Sequence, residues 1–150
     1  MQYNPYQFAL PDEQIREIQR GYLRFLRAAA GRVLDIGSGQ GQFLDIASAA
    51  GHATVGIERH APAAEACRAR GHEVHVEDAV EGLQRLDGGF DLILVSHLIE
   101  HLLPAQAQAL VAGTSRLLNP DGALVVVTPN TKNLAVGSHL FWLDPTHVRP

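Results

Sequence analysis

The chain has 150 residues, enough for one domain with its own core and too few for two ordinary ones. Hydrophobic residues make up 46% and charged residues 19%, which excludes a disordered or fibrous chain. A formal net charge of −4, with no long block of one sign, argues against a large footprint on a nucleic-acid backbone.

Cys67 is the single cysteine, so no internal disulfide can form. Its place in a helical-looking run predicts a small buried thiol. The amino terminus has no basic region followed by an apolar core, so no signal peptide is expected. No apolar run approaches the roughly 20 residues of a membrane span. A soluble, cytoplasmic protein is the expectation.

The first element is an amphipathic helix over residues 12–30. Ile15, Ile18, Tyr22, Phe25, Leu26 and Ala29 recur at steps of three and four, with Asp12 as N-cap and Gly31 as the stop. Gly21 weakens its middle by about 1 kcal/mol relative to alanine. Strands then alternate with helices: strand 32–36, a glycine-rich turn, helix 41–50, strand 53–58, helix 61–70, strand 73–76 and helix 80–86. Strand 90–95 follows, then a helix from Pro104 to about Leu118, a turn over 119–122 and strand 123–128. Apolar runs such as Leu92-Ile93-Leu94-Val95 do not alternate, as expected of strands covered on both faces. Alternating strands and helices imply right-handed crossovers and an α/β, doubly wound, mostly parallel sheet. Residues 131–150, rich in polar residues, glycine and proline, are expected to be mostly loop.

The segment Val33-Leu34-Asp35-Ile36-Gly37-Ser38-Gly39-Gln40-Gly41 carries the functional signal. A buried strand ends in a turn with three glycines that opens a helix. In a doubly wound sheet the ligand lies at the carboxyl ends of the strands, near the first one. Glycine lets the backbone approach a ligand that any Cβ would block. Dinucleotide binders space their glycines G-x-G-x-x-G around a pyrophosphate. Here the spacing is G-x-G-x-G, and Asp35 precedes it by two residues. That carboxylate would repel a pyrophosphate and suits a ligand carrying an ammonium and a sulfonium. Glu58, ending the second strand, can accept from both hydroxyls of a ribose. Asp78, after the third strand, can accept from an adenine amino group while the Ala79 N–H serves a ring nitrogen. By itself Asp78 reads more readily as the N-cap of the helix that follows.

Taken in order, segments 33–43, 55–58, 77–79, 90–102 and 117–130 resemble the successive motifs of class I S-adenosylmethionine-dependent methyltransferases. The resemblance spans residues 32–130. It implies a Rossmann-like methyltransferase fold with S-adenosyl-L-methionine as cofactor. Asp35, Gly37, Ser38 and Gly39 would line the methionine end, Glu58 the ribose, and Asp78 with Ala79 the adenine. Ser96 and His97 would face the methyl group and substrate. The run Ser96-His97-Leu98-Ile99-Glu100-His101-Leu102 is similar to the strand-four ending of small-molecule methyltransferases. The amino-terminal helix and residues 143–150 resemble a subgroup associated with bacterial glycan and O-antigen biosynthesis. Such enzymes continue with a further helix and two more strands, so the sheet is expected to lack its last strands. The implied organisation is a helical segment at 1–31, a cofactor-binding domain at 32–130 and a substrate-side tail at 131–150.

Methyl transfer from a sulfonium needs positioning more than covalent help. A hydroxyl acceptor would gain from a general base, for which His97, His101 and His147 are the candidates. His101 reads equally as a structural residue at the start of the next helix. A metal pair at His97 and His101 is not expected, because the segment lacks a third ligand and the H-E-x-x-H order. His52, His60, His72, His75 and His139 read as structural or solvent-facing. Leu140, Phe141 and Trp142 read as an anchoring patch more than as a lid. The partner expected is a small-molecule or glycan substrate, with no nucleic acid and a homodimer possible through an open last strand. Two alternatives stand beside this reading: an NAD(P)-dependent oxidoreductase, and a truncated or non-catalytic cofactor-binding domain.

Overall fold

A computed structural model describes residues 11–27, 29–138 and 140–148. Five parallel strands form one sheet: β1 (Arg32–Ile36), β2 (Ala53–Ile57), β3 (Glu73–His75), β4 (Phe90–Ser96) and β5 (Leu118–Val127). Their spatial order is β3-β2-β1-β4-β5, so the direction of winding reverses between β1 and β4. The helices are α1 (Asp12–Arg20), α2 (Gln42–Ala49), α3 (Ala61–Arg68), α4 (Ala79–Arg85), α5 (Pro104–Leu117) and α6 (Leu134–Ser138). The expected doubly wound α/β sheet is present.

Both faces of the central strands are covered, which is why a strand such as β4 reads as an apolar run without alternation. On one face Leu34, Ile36, Ile57, Ile93 and Val95 pack with Leu83 of α4 and Leu110 and Leu117 of α5. On the other, Val33, Leu92 and Leu94 pack with Phe43 and Ala47 of α2. Full burial of each such side chain is worth about 1.5–3 kcal/mol.

Four expectations need correction. The first helix ends at Arg20 and gives way to a 3₁₀ turn, Gly21–Phe25, with Leu26 already extended. The tighter turn begins at Gly21, where an α-helix is weakest, and it delivers Tyr22, Leu23 and Leu26 to the Phe43 face. Pro11, not Asp12, is the N-cap. The Asp12 carboxylate instead accepts from Arg16 Nε at 2.7 Å and Gln42 Nε2 at 3.0 Å.

The turn expected at 119–122 is a bulge inside β5. Phe90 pairs with Leu118 and Leu92 with Ala123, so the register shifts between them. The loop expected over 131–150 contains α6 and a 3₁₀ turn, Leu140–Leu143. Asn133 starts α6: its Oδ1 accepts from the Ala135 N–H at 3.0 Å and the Val136 N–H at 3.4 Å. This segment folds back onto the 3₁₀ turn Ile99–His101 that follows β4, where the Val148 N–H donates to the Glu100 carbonyl at 2.8 Å.

Candidate active site

Parallel pairing brings the carboxyl ends of β1, β2, β3 and β4 to one edge of the sheet. Ile36 lies beside Ile57 and Val95, and Ile57 beside His75. After β1 the chain turns through Gly37, Gly39 and Gly41, all at positive φ (76°, 52° and 78°). At Gly41 a Cβ would stand 2.7 Å from Cys67 Sγ, so this position admits only glycine. Cys67 is buried, and that burial pushes its thiol above the ordinary range, as suits a packing residue.

The acids predicted from the sequence flank this turn. Glu58 Oε2 accepts from the Gly39 N–H at 2.8 Å and Oε1 from the His60 N–H at 2.7 Å. It therefore ties the glycine turn to the end of β2, and each oxygen keeps a lone pair for a hydroxyl. Asp35 is 3% exposed. Among the described residues no hydrogen-bond donor reaches its carboxylate. Burial first, and the nearby Glu58 charge second, push its pKa up to about 7. Ser38 is buried as well, and its Oγ has no hydrogen-bond partner.

These features fit a cationic adenosyl ligand. A buried carboxylate without a donor is offset by an ammonium or sulfonium, and the bare Ser38 hydroxyl offers one further polar contact. Gly37 leaves the turn open, with only Leu98 nearby at 3.6 Å from where a Cβ would stand. Asp78 and Ala79 sit one strand further out, at the end of β3. There the Asp78 carboxylate accepts from the Val80 N–H at 2.9 Å and caps α4. That bond occupies Oδ1 alone and leaves the other oxygen able to accept.

Across the switch point β4 ends at Ser96. His97 follows with φ 52°, the one non-glycine residue at positive φ among those described. Backbone strain of this kind gathers at functional sites. His97 is exposed, and its Nδ1 lies 3.3 Å from Glu100 Oε1. The two are out of line for a hydrogen bond, because Oε1 is buried without a partner. Glu100 Oε2 accepts from Thr128 Oγ1 at 3.3 Å. Burial works against ionisation of Glu100, but the adjoining His97 and His101 imidazoles hold its carboxyl below the ordinary range.

The folded-back segment brings His147 to His101, with ring centroids 4.7 Å apart. His147 also lies over Phe141, which is fully buried and anchors the segment, while Trp142 is exposed. Sequence reasoning missed Glu100, Asp144 and Thr146 as members of this group. The adjacent carboxylate and imidazole in Glu100-His101, and the Asp144-Pro145-Thr146-His147 string, were the available signals. A cleft of about 470 Å³ opens alongside, lined by Ile99, Glu100, Thr128, Pro129, Asn130, Thr131 and Lys132. His52 and His72 are structural: His52 Nδ1 accepts from the Gly31 N–H, and His72 Nε2 lies 2.7 Å from Asp45 Oδ1. His139 is outside the described residues.

The model of the methyltransferase domain family matches residues 11–148. The chain belongs to that family. An uncharacterized methyltransferase of Synechocystis sp. is 28% identical over 112 residues, 74% of this chain and 51% of the relative. A solved S-adenosylmethionine-dependent methyltransferase from Archaeoglobus fulgidus superposes with a TM-score of 0.85 at 28% identity. It covers 97% of this chain, which spans 65% of that one. The bifunctional kinase-methyltransferase WbdD shares the fold at TM-score 0.65 and 24% identity, over 83% of this chain and 30% of its own. The methyltransferase domain thus spans about half the length of the curated relative it matches. It is a class I domain of the S-adenosylmethionine-dependent type, and this assignment displaces the NAD(P) oxidoreductase reading. No helix among the described residues is long and apolar enough to cross a membrane.

Proposed function

We propose that this domain transfers a methyl group to a hydroxyl of a small-molecule or glycan acceptor, such as those of bacterial polysaccharide and O-antigen synthesis. The observation that carries the reading is that Asp35 and Glu58 flank the glycine turn at the same edge of the sheet as the histidines that follow β4. S-adenosylmethionine, when bound, supplies an electrophilic methyl group. Asp35 offsets the cationic methionine end, Glu58 holds the ribose and Asp78 with the Ala79 N–H meets the adenine. Ser96 borders the methyl position. Thr128, Asn130, Thr131 and Lys132 give the adjoining cleft a polar wall suited to a hydroxylated acceptor. His97 accepts the acceptor's proton, since its exposed ring follows the strand end directly, and His101 and His147 support that face. General-base help of this kind is worth about 10²–10⁴-fold. The organisation that follows is a helical segment at 1–31, a cofactor domain at 32–130 and a substrate-side tail at 131–150, working in the cytoplasm.

Calorimetric titration with S-adenosylhomocysteine, with NADH as control, tests the cofactor half of this reading. Labelled methyl transfer to an acceptor panel tests the other half. Saturable binding that is lost in Asp35→Ala and Glu58→Ala, together with label in a sugar, supports both. No binding to the folded chain sinks the cofactor role. Binding without transfer to any acceptor would favour a domain that works only as part of a longer protein, consistent with its coverage of its relatives.

A further inference from the structure

We infer that Glu100, His101 and His147 form a site for one divalent first-row transition ion, of which Zn²⁺ is the type, at the carboxyl end of β4. Each residue offers a ligand atom, and the three atoms lie within 4.8 Å of one another. The sequence set a metal aside because His97 and His101 lacked a third ligand. The fold supplies one from 46 positions further along, His147, and exchanges His97 for Glu100.

Two independent features point to an ion. The first is the tautomer that the hydrogen bonds impose. Thr146 Oγ1 donates to Asp144 Oδ1 at 2.6 Å, so the same oxygen accepts from the His101 Nδ1–H at 2.7 Å. The His147 Nδ1–H donates to the Phe141 carbonyl at 2.6 Å. Both rings are therefore held by Nδ1–H, and in the neutral form each keeps a lone pair on Nε2, that of His147 lying 3.9 Å from Asp144 Oδ2; this is the arrangement in which outer partners orient a metal-binding imidazole. The second is Glu100 itself. Its side chain is 1% exposed and Oε1 is buried without a hydrogen-bond partner. His97 Nδ1 at 3.3 Å makes an ion pair with this oxygen only when protonated and leaves it without an aligned hydrogen bond, and a divalent cation offsets such a buried carboxylate.

Two imidazoles and one carboxylate select a transition ion over Mg²⁺ or Ca²⁺, which prefer oxygen ligands throughout. Around a tetrahedral ion, donors about 2.1 Å from the metal lie about 3.4 Å apart, so loading draws the three side chains slightly together. Three protein ligands leave a position open. Glu100 also lines the cleft, so an acceptor hydroxyl could take that position and be acidified there. This last role rests on the function proposed above; the binding site itself does not.

The test is Zn²⁺ calorimetry and Co²⁺ absorption on the EDTA-stripped 150-residue chain, with circular dichroism and S-adenosylhomocysteine titration on every variant. One saturable equivalent is expected. His101→Ala and His147→Ala should each weaken it by about 100-fold or more, and Thr146→Val by about 10–100-fold, since Thr146 only orients His101. His75→Gln, outside the cluster, should leave it unchanged. A folded chain that binds S-adenosylhomocysteine but neither metal overturns the site and leaves the cofactor assignment standing. Equal metal binding in the wild type and both histidine variants overturns it too. Loss of S-adenosylhomocysteine binding alone overturns the proposed function and not the metal site.

Discussion

Replacing Asp35 by asparagine should stabilise the ligand-free domain near neutral pH, even though it removes a residue assigned to cofactor binding. The Asp35 pKa rises from 3.8 to about 7 through burial and the Glu58 charge. Each unit of that rise is about 1.36 kcal/mol, so ionised Asp35 costs the fold about 4 kcal/mol. The sign follows from which state holds the proton. Between pH 3.8 and about 7 the unfolded chain has released it and the folded chain has not. Stability therefore falls as pH rises through that window, at up to about 1.4 kcal/mol per unit, and levels off above it. Asparagine keeps the shape without the titration. The difference in stability between Asp35→Asn and the wild type should grow across the window, reaching on the order of 10 °C in melting temperature at its upper end.

Urea or thermal unfolding of both proteins at a series of pH values measures this difference directly. S-adenosylhomocysteine carries an ammonium that favours the charged form, so its binding should release a proton below pH 7. Affinity in the wild type should rise by up to about tenfold per pH unit up to that point and then level off. Stability profiles that run parallel for the two proteins would refute the reasoning, because Asp35 would then ionise normally inside the fold.

Three further substitutions probe the same scaffold. Glu58→Gln places an amide NH₂ against one of the two backbone N–H groups that Glu58 satisfies, at Gly39 and His60. It should lower stability by about 1–3 kcal/mol, weaken S-adenosylhomocysteine in calorimetry and shift the Asp35 titration downward. Gly122→Ala would put a Cβ 2.8 Å from the Phe90 carbonyl and 3.0 Å from that of Asn119. Backbone cannot yield there, so a denaturant midpoint lower by the equivalent of about 1–3 kcal/mol is expected. Asp45 bonds Arg16, Arg70 and His72 and so links α1, α2 and the end of α3. Burial raises its pKa, but these three partners outweigh that and hold it below 3.8. Asp45 therefore supports the fold above pH 3.8 and loses that support as pH falls through its folded value. In an acid-unfolding series Asp45→Asn should start less stable and show a shallower decline.

The strands were legible because the central ones are dominated by apolar runs, and Gly37-Ser38-Gly39-Gln40-Gly41 marked the turn that follows β1. Asp35 and Glu58 could be placed at that turn because parallel strands end at a common edge. The bulge at 119–122 was not legible. Asn119-Pro120-Asp121-Gly122 reads as a turn in any context, and only pairing with β4 shows that the strand resumes in a shifted register. The shortened first helix depends on Tyr22 and Leu23 reaching Phe43, a contact between distant residues. The Asn133 cap was legible and overlooked. The meeting of His101 with His147 was not, because it depends on Phe141 anchoring a segment that shows no periodicity of its own.

His97 holds a conformation that a side chain bearing a Cβ resists by about 1–2 kcal/mol. Glycine would adopt the same angles without that strain, although it would also give the unfolded chain more freedom. Selection for abundance and selection for turnover should therefore part company at this one codon. A library sorted by expression level should tolerate glycine there, and the same library sorted by product should discard it. The imidazole sits against the preference of its own backbone, and a design drawn from stability alone would replace it.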